Sequence, residues 1–302
     1  MTDRRGSAAA IVLLCAAAIA AAGCGLGRGE GVGDVELTVT RDYGHSSLLR
    51  REVDDVTQSD TVMRVLERNA EITTRFGGGF VHSIEGLEGS GGGGSDWFFY
   101  VNGLWSPVGA ADYPLRGGEA IWWDYRDWSV GERVAAAVGS WPQPFLDGYE
   151  GARHPTAVIC RMEGPACGTV RERLREVGAR LVGGDDEEAI RVLVGPWQRI
   201  GGDRDAELLE RGVEMSGVFA EFGAGGRLML GLDEDGDVAR RFGPDAGLVA
   251  VTRRASRPPV WLVTGVGATG VEAAAELLDA ESLRDHYAVA VEDGQETVLP
   301  VR

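Results

Sequence analysis

Lysine is absent from this 302-residue sequence, so all thirty basic residues are arginine. We interpret this as a coding bias, because no single binding site would explain it along the whole chain. Forty-seven acidic residues outnumber the arginines and give a formal net charge of −17. A nucleic-acid-binding protein needs a basic stripe on its surface. The sequence therefore predicts no nucleic-acid partner, and its acidity favours solubility.

Motifs of catalysis are also lacking. The sequence contains no G-x-S-x-G, H-E-x-x-H or S-x-x-K, and its four histidines are scattered along the chain. No Ser/His/Asp set can be proposed from such spacing. We therefore predict a protein that is not an enzyme, with no catalytic residues, no metal ligands and no cofactor.

The first 24 residues predict a lipoprotein signal peptide. Arg4 and Arg5 precede an apolar run over residues 8–22, which is too short to be a comfortable membrane span. The run ends in Ala-Ala-Gly-Cys24, which resembles a bacterial lipobox. In that family the signal peptidase cuts before the cysteine, which then carries the lipid. The resemblance implies lipidation of Cys24 and an anchor on the extracytoplasmic face of the cell membrane. The alternative is a plain secretory signal with an incidental cysteine.

Only four cysteines are present. Cys15 would leave with the leader and Cys24 would be taken by lipid, so Cys160 and Cys167 remain. An even pair outside the cytoplasm favours a disulfide, here a local staple across a short loop. A redox or metal pair is the alternative, and it would need tighter spacing or nearby histidines.

Aromatic residues are concentrated between Trp97 and Trp128. Asn102-Gly103 predicts a tight hairpin turn, because both residues tolerate a positive φ. Strands are expected over residues 97–101, 104–105 and 120–125. Two-residue alternation then divides the last strand into two faces: Ile121, Trp123 and Tyr125 on one, and Trp122, Asp124 and Arg126 on the other.

The residues around this stretch predict a small domain over residues 34–128, after a flexible tether at 25–33. A strand over residues 34–40 has a candidate hairpin partner at 52–56. A helix from Thr61, capped by Ser59 or Asp60, has an apolar stripe. A strand at 80–84 and a glycine-rich loop follow. This order is typical of a β-grasp-like α+β unit.

These motifs resemble the transcobalamin-like C-terminal domain family. The resemblance rests on Gly-Phe-Val-His-Ser-Ile-Glu-Gly-Leu after the helix, Trp-Phe-Phe-Tyr-Val-Asn-Gly, and Leu-Arg-Gly-Gly-Glu-Ala-Ile-Trp-Trp. It implies a β-grasp fold on an exported bacterial protein. In transcobalamin and intrinsic factor the equivalent domain covers one face of bound cobalamin, so the resemblance implies a corrinoid-like ligand. Nothing in this chain resembles the helical barrel of the animal carriers.

The aromatic patch is the predicted contact surface. Indoles and phenols can stack on a planar ligand or a sugar, although aromatics at strand spacing are more often core, and we expect about half of them to be buried. The predicted ligand-binding residues are Trp97, Tyr100, Asn102, Trp105 and Trp122.

The remainder of the chain predicts a linker at residues 129–155, which packs through Trp141 and Phe145, and a second domain at 156–302. Alternating strands and helices indicate an α/β sandwich there. The predicted fold class of the chain is α+β, with an N-terminal β-grasp-like domain followed by a C-terminal α/β sandwich.

Two short motifs in the second domain have competing interpretations. Gly265 to Gly270 matches G-x-G-x-x-G, with Glu292 where a ribose-binding acid would lie, although a tight strand-to-helix turn is favoured over nucleotide binding. Residues 233–237 (DEDGD) are similar to the opening of a calcium loop, but the closing glutamate is missing. A hairpin turn is favoured there.

The function expected from these observations is that of a non-enzymatic cell-surface lipoprotein, acting as a ligand-binding or accessory module. Its partners would be the membrane, through the N-terminal lipid, and a small molecule or a cell-envelope component. One alternative is a contact module for proteins or cell-wall glycans. Another is a nucleotide-binding or hydrolytic site in the C-terminal domain.

Overall fold

A computed structural model of the chain describes residues 29–90, 94–184, 186–223, 225–255 and 257–302. The predicted signal peptide, the lipidated Cys24 and the first residues of the tether lie outside the described residues. Within these ranges, no helix is both long enough and apolar enough to cross a membrane.

Strands make up most of the regular structure. The described strands are β1 (Gly31–Arg41), β2 (Ser46–Thr57), β3 (Ile72–Arg75), β4 (Phe80–Ile84), β5 (Leu87–Glu88), β6 (Ser95–Val101), β7 (Leu104–Trp105), β8 (Ala120–Asp127), β9 (Thr156–Cys160), β10 (Leu181–Val182), β11 (Ile190–Pro196), β12 (Ala220–Gly223), β13 (Leu228–Leu232), β14 (Val238–Phe242), β15 (Gly247–Thr252), β16 (Val260–Gly265), β17 (Ala288–Glu292) and β18 (Gln295–Leu299). The described α-helices are α1 (Val62–Asn69), α2 (Ala166–Glu176), α3 (Trp197–Ile200), α4 (Val213–Ser216), α5 (Ala268–Glu276) and α6 (Ala280–Leu283).

The predicted α+β fold class is wrong. Strands hold 40% of the described residues and helices 19%, and the strands form four sheets, so the fold is β-rich. Three of the α-helices are single turns of four residues. A further helical segment in the second half is a 3-10 helix, at Ala206–Arg211. Short amphipathic patterns overstate helix content, because a helix of one or two turns is held by tertiary packing rather than by its own propensity.

The first sheet has five strands in the order β2-β1-β8-β6-β7. β1 and β8 pair in parallel, and the other neighbours are antiparallel. Helix α1 packs on one face through Val62, Val65 and Leu66, which lie at helical spacing and are fully buried. Its N-cap is Thr61, whose Oγ1 accepts a hydrogen bond from Arg64 N at 3.3 Å, rather than the predicted Ser59 or Asp60.

The other face of the first sheet is covered by the second half of the chain. Tyr100 and Trp122 point to this side and share a hydrophobic cluster with Phe219 and Tyr287. The ring centroid of Trp122 lies 5.1 Å from that of Tyr287. The predicted division of β8 into two faces is confirmed, since Ile121 and Trp123 belong to the cluster beneath helix α1.

The second sheet has seven strands in the order β10-β9-β11-β16-β15-β17-β18. The first four strands are mutually parallel, and β15, β17 and β18 add antiparallel pairs. Helices α2 and α5 cover one face. The three-stranded sheet β12-β13-β14 and the first sheet cover the other, so the predicted α/β sandwich is replaced by one helical layer and one β layer.

The segment between the halves is packed rather than free. Trp141 and Phe145 lie 5.8 and 4.9 Å, centroid to centroid, from Trp261 in β16. The predicted packing of residues 129–155 through these two side chains is confirmed. The predicted disulfide is also confirmed: Cys160 at the end of β9 is bonded to Cys167 in the first turn of α2.

Candidate functional site

An apolar groove of about 420 Å³ lies along the edge of the first sheet. Along β6, strand β7 covers only Tyr100 and Val101, the last two residues, so the beginning of β6 is an open sheet edge. The groove occupies this edge. Its aromatic lining residues are Phe80, Trp97, Phe98, Phe99, Trp105, Trp123 and Trp128.

The loop after β7 forms one wall of the groove. Ser106 Oγ donates to Val108 O at 2.8 Å and accepts from Val108 N at 3.2 Å, which folds the loop back on itself. Ala110 O accepts a hydrogen bond of 2.9 Å from Met63 N, at the start of helix α1. These contacts keep Trp105 and Val108 at the surface beside β6, so the groove has a fixed apolar wall.

The floor of the groove is held by aromatic pairs on β6 and β8. The ring centroid of Trp97 lies 5.3 Å from that of Tyr125, and the centroid of Phe99 lies 5.0 Å from that of Trp123. Trp97 Nε1 donates to Leu87 O at 3.0 Å, which ties the floor to β5. Such pairs fix ring orientation and contribute roughly 0.5–1.5 kcal/mol each beyond their buried area.

A buried arginine positions the opposite wall. Arg126 stacks with its guanidinium carbon 3.9 Å from the Phe98 ring centroid. Its Nη1 donates to Gly131 O at 2.6 Å and its Nη2 to Glu132 O at 3.2 Å. Arg126 therefore orders the loop after β8, which contributes Trp128 and Glu132 to the groove.

The charged residues that line the groove are both acidic. Asp96 lies at the start of β6 and Glu132 in the loop after β8, and no arginine is among the described lining residues. Among the described residues, the Glu132 carboxylate forms an ion pair with Arg133, with Nε 4.0 Å from Oε1, and both side chains are well exposed. An exposed pair at that distance contributes almost nothing.

The predicted ligand-binding residues are divided between this groove and the interior. Trp97 and Trp105 line the groove, although only Trp105, 38% exposed, presents much surface. Tyr100, Asn102 and Trp122 are buried. In this conformation they make interior contacts, and their role in binding stays a prediction.

Asn102 illustrates what the buried members do. Its Nδ2 donates to Gly148 O at 2.7 Å and its Oδ1 accepts from Ala120 N at 2.8 Å, so it joins the hairpin to β8 and to the following segment. The positive φ expected for the turn is present, at 52°.

The sequence analysis did not identify six of the residues that line the groove. They are brought together at the edge of the first sheet because β7 has only two residues, and they are Phe80, Asp96, Phe98, Phe99, Trp128 and Glu132.

A second cluster of polar groups is buried between the two halves. Asp124 accepts hydrogen bonds from Thr40 Oγ1 at 2.5 Å, Gly44 N at 3.1 Å and Tyr287 OH at 3.0 Å. Burial raises the pKa of Asp124 to about 6, since the ionised carboxylate is deprived of water. The single carboxylate of Asp124 therefore connects β8 to Tyr287, the residue before β17.

The two motifs of the second half form turns. Helix α5 begins at Ala268, with two residues between it and the end of β16. A Cβ on Gly270 would lie 2.0 Å from Ala246 O, so the glycine permits close packing. Glu292 pairs with Arg240, with Nη2 3.5 Å from Oε2. Residues 233–237 join β13 to β14 as a hairpin, with Asp233 Oδ1 accepting from two backbone N–H groups.

Among the residues that the structure describes, one group of carboxylates is close enough together for a single cation. Asp34, Glu52 and Asp54 have oxygens within 4.8 Å of one another, and all three are exposed on β1 and β2. Exposed acidic groups commonly lie together without an ion, so this arrangement by itself indicates no site.

The geometry thus defines a β-rich protein with an aromatic groove on an open sheet edge. Residues 59–127, which contain most of that groove, match the family described as a domain of unknown function (DUF4430). The match covers less than half of the chain and names no activity, and it does not identify the transcobalamin-like family.

The structural comparison gives a distant likeness. A crystal structure of a "putative metal binding protein" from Ruminococcus gnavus ATCC 29149 is 18% identical, with a TM-score of 0.27, and covers 32% of this chain and 97% of that chain. A structural similarity this low gives no evidence about function. The comparison with curated proteins found no match.

Proposed function

We propose that this chain is a non-enzymatic ligand-binding lipoprotein of the cell surface, and that the aromatic groove is its binding site. The observation that carries the proposal is the groove itself, an apolar concavity lined by seven aromatic residues. Its volume of about 420 Å³ lies in the range of small-molecule sites, which are mostly apolar with a few polar groups.

Exposed apolar side chains around the groove support the same proposal. Trp105, Phe80 and Val108 are each more than a third exposed, and all three are lining residues. Large apolar side chains in one patch are unusual on a soluble protein unless the patch contacts something. A ligand would remove this surface from water and gain roughly 25 cal/mol per Å² buried.

A corrinoid is the ligand that the transcobalamin-like resemblance implies. A corrin ring with its side chains is larger than this groove and could rest on it with one face only. A site that buries so small a share of a large ligand binds it weakly. A smaller apolar ligand fits the groove better. A shift in corrinoid absorbance on addition of the protein would instead favour the corrinoid as the ligand.

The site is tested with a neutral apolar probe, 2-naphthalenemethanol. Its binding to residues 25–302 is measured by tryptophan fluorescence and by calorimetry. Trp105→Ala removes an exposed wall of the groove, and we expect it to weaken binding several-fold. Leu146→Ala is the matched control, because Leu146 is also 38% exposed but does not line the groove. Equal loss in both variants, or no binding by the wild type, would contradict the proposed site.

Location is tested separately. We propose that Cys24 carries the lipid anchor, and the Ala-Ala-Gly-Cys24 motif supports this. The Cys160–Cys167 disulfide is consistent with a compartment outside the cytoplasm, where disulfides persist. Mass spectrometry of the mature amino terminus should find an acylated cysteine, and Cys24→Ser should release the protein from the membrane fraction. An unmodified amino terminus that begins at Met1 would refute the anchor.

Contact with a protein or a cell-wall glycan is the second candidate. The observation that favours it is Phe76, which is 88% exposed at the tip of the β3–β4 hairpin, with its ring centroid 6.3 Å from that of Phe80. Phe76→Ala should abolish retention on a cell-wall preparation if this candidate is correct, and should leave binding of the naphthalene probe unchanged.

A further inference from the structure

The charge of the groove distinguishes between possible ligands. Asp96 and Glu132 bring two negative charges to it, and no basic side chain is found among its described lining residues. The chain as a whole has a formal net charge of −17, which adds a field of the same sign. We call these two carboxylates the rim of the groove. They would repel an anionic ligand and attract a cation from a distance.

The aromatic lining of the groove also favours a cationic ligand. An aromatic ring has a negative face, so a cation placed over it within about 6 Å is attracted to the ring. Indole attracts cations best, and Trp97, Trp105, Trp123 and Trp128 all line the groove. Aromatic faces combined with nearby carboxylates are the surroundings that suit a desolvated organic ammonium group.

The buried Arg126 does not change the sign of the site. Its guanidinium stacks on Phe98 and also lies 5.7 Å from the Tyr43 ring centroid, on the side of the sheet that faces the second half of the chain. Arg126 lies across from Asp96 in the pairing of β8 with β6, but Asp124, two residues earlier on the same face of β8, is also buried and has the opposite charge. The rim carboxylates are therefore the charges that a ligand would meet first.

We propose that the groove binds an organic cation, namely an amine or quaternary ammonium group attached to an apolar or aromatic body. The proposal rests on the proposed function and names the ligand class of the same site. The apolar body lies against the aromatic floor, and the ammonium group lies at the rim beside Asp96 and Glu132.

Three probes with one naphthalene body and different charges test this assignment: (2-naphthylmethyl)trimethylammonium, 2-naphthalenemethanol and 2-naphthylacetate. Calorimetry on residues 25–302 should give the order cation, then alcohol, then carboxylate. We expect the cation to bind about tenfold more tightly than the alcohol, a difference within the range of cation–π and charge effects together. Raising the salt concentration should reduce that ratio, because screening acts on the rim charges.

The charge-removing variant is Asp96→Asn with Glu132→Gln. It should lower the affinity of the cation to that of the alcohol and leave the affinity of the alcohol unchanged within about twofold. Glu163→Gln with Glu172→Gln is the control, because it removes the same net charge from exposed positions on the helical side of the second sheet. Circular dichroism of each variant would establish that the fold is kept.

The possible results separate the two proposals. If the alcohol and the cation bind equally and the Asp96/Glu132 variant changes neither, the ligand class is wrong and the groove remains a binding site. If the control pair lowers cation affinity as much as the rim pair, only the overall charge matters and the assignment is overturned. If no probe binds, both proposals fail.

Discussion

Asp124 is a titratable side chain at the contact between the two halves of the chain, and its pKa is shifted by folding. It is fully buried and accepts three hydrogen bonds, one of them from Tyr287 OH. Burial raises the pKa of its carboxyl group to about 6 from the ordinary value of 3.8. Folding therefore favours the protonated form between these two values.

The sign of the resulting pH dependence follows from linkage. A carboxyl group whose pKa is raised on folding contributes stability that is fully present below the unfolded value and is lost as pH rises to about 6. We expect the free energy of unfolding of the wild type, relative to Asp124→Asn, to fall by on the order of 2–3 kcal/mol between pH 4 and pH 6. Urea titrations at several pH values measure this difference.

His286 acts in the opposite direction and must be considered in the same experiment. Burial and the neighbouring His45 lower its pKa to about 4, so its contribution to stability rises with pH above that value. The effect is present in both the wild type and Asp124→Asn, and subtraction removes it. A difference that does not change between pH 4 and pH 6 would contradict the assignment to Asp124.

Individual side chains in the aromatic stretch were only partly predictable. Alternation along β8 separates Trp122 from Trp123 correctly, since it needs only the two-residue period of a strand. The alternation does not predict that both faces are buried. The second face is covered by Phe219 and Tyr287, which are about a hundred residues or more away in sequence. Asp124 and Arg126 on this face indicate solvent exposure, and Trp122 was the one local signal of burial.

The edge of the first sheet shows a comparable limit for whole elements. The Asn102-Gly103 hairpin was predictable from turn chemistry. The early end of β7 was not, and that early end opens the groove beside Asp96 and Phe98. Strand length here is set by the turn at Ser106 and by the hydrogen bond between Ala110 and Met63, which a pattern within one strand does not contain.

The disulfide stabilises the junction between strand β9 and helix α2. It closes a loop with a sequence separation of seven residues. A loop this short restricts the unfolded chain modestly, and we expect the Cys160→Ala, Cys167→Ala double variant to lose about 2–3 kcal/mol of unfolding free energy. Urea denaturation of the oxidised wild type, the reduced wild type and the variant provides the measurement. A reduced wild type as stable as the oxidised form would show that the link does not restrain the unfolded state.

The two halves share one hydrophobic cluster, so we expect them to unfold together. Tyr43, Tyr100 and Trp122 from the first sheet lie in the same cluster as Phe219 and Tyr287. The predicted division into domains at residues 34–128 and 156–302 stays a prediction. A contact of this kind makes a single transition the expected behaviour, with tryptophan fluorescence and far-ultraviolet circular dichroism changing at the same denaturant concentration.

Gly44 provides the sharpest test of that contact. A Cβ at this position would lie 1.7 Å from Asp285 O, and the backbone has a φ of +81°. Gly44→Ala should separate the halves, lower the unfolding free energy by more than about 2 kcal/mol, and split the transition observed by the two probes. Gly86→Ala is the control, because Gly86 has a φ of +78° and open space around it. An equal effect from both substitutions would mean that backbone strain alone is measured.

The parallel pairing of β1 with β8 imposes an order of assembly on a chain that is synthesised amino terminus first. Until Asp127 has emerged, β1 and β2 are a lone hairpin, which is marginal in water. Tyr287, the partner of Asp124, emerges only near the end of the chain. The nascent protein therefore stays incompletely folded through most of its synthesis, and the apolar faces of that hairpin are uncovered until the later strands arrive.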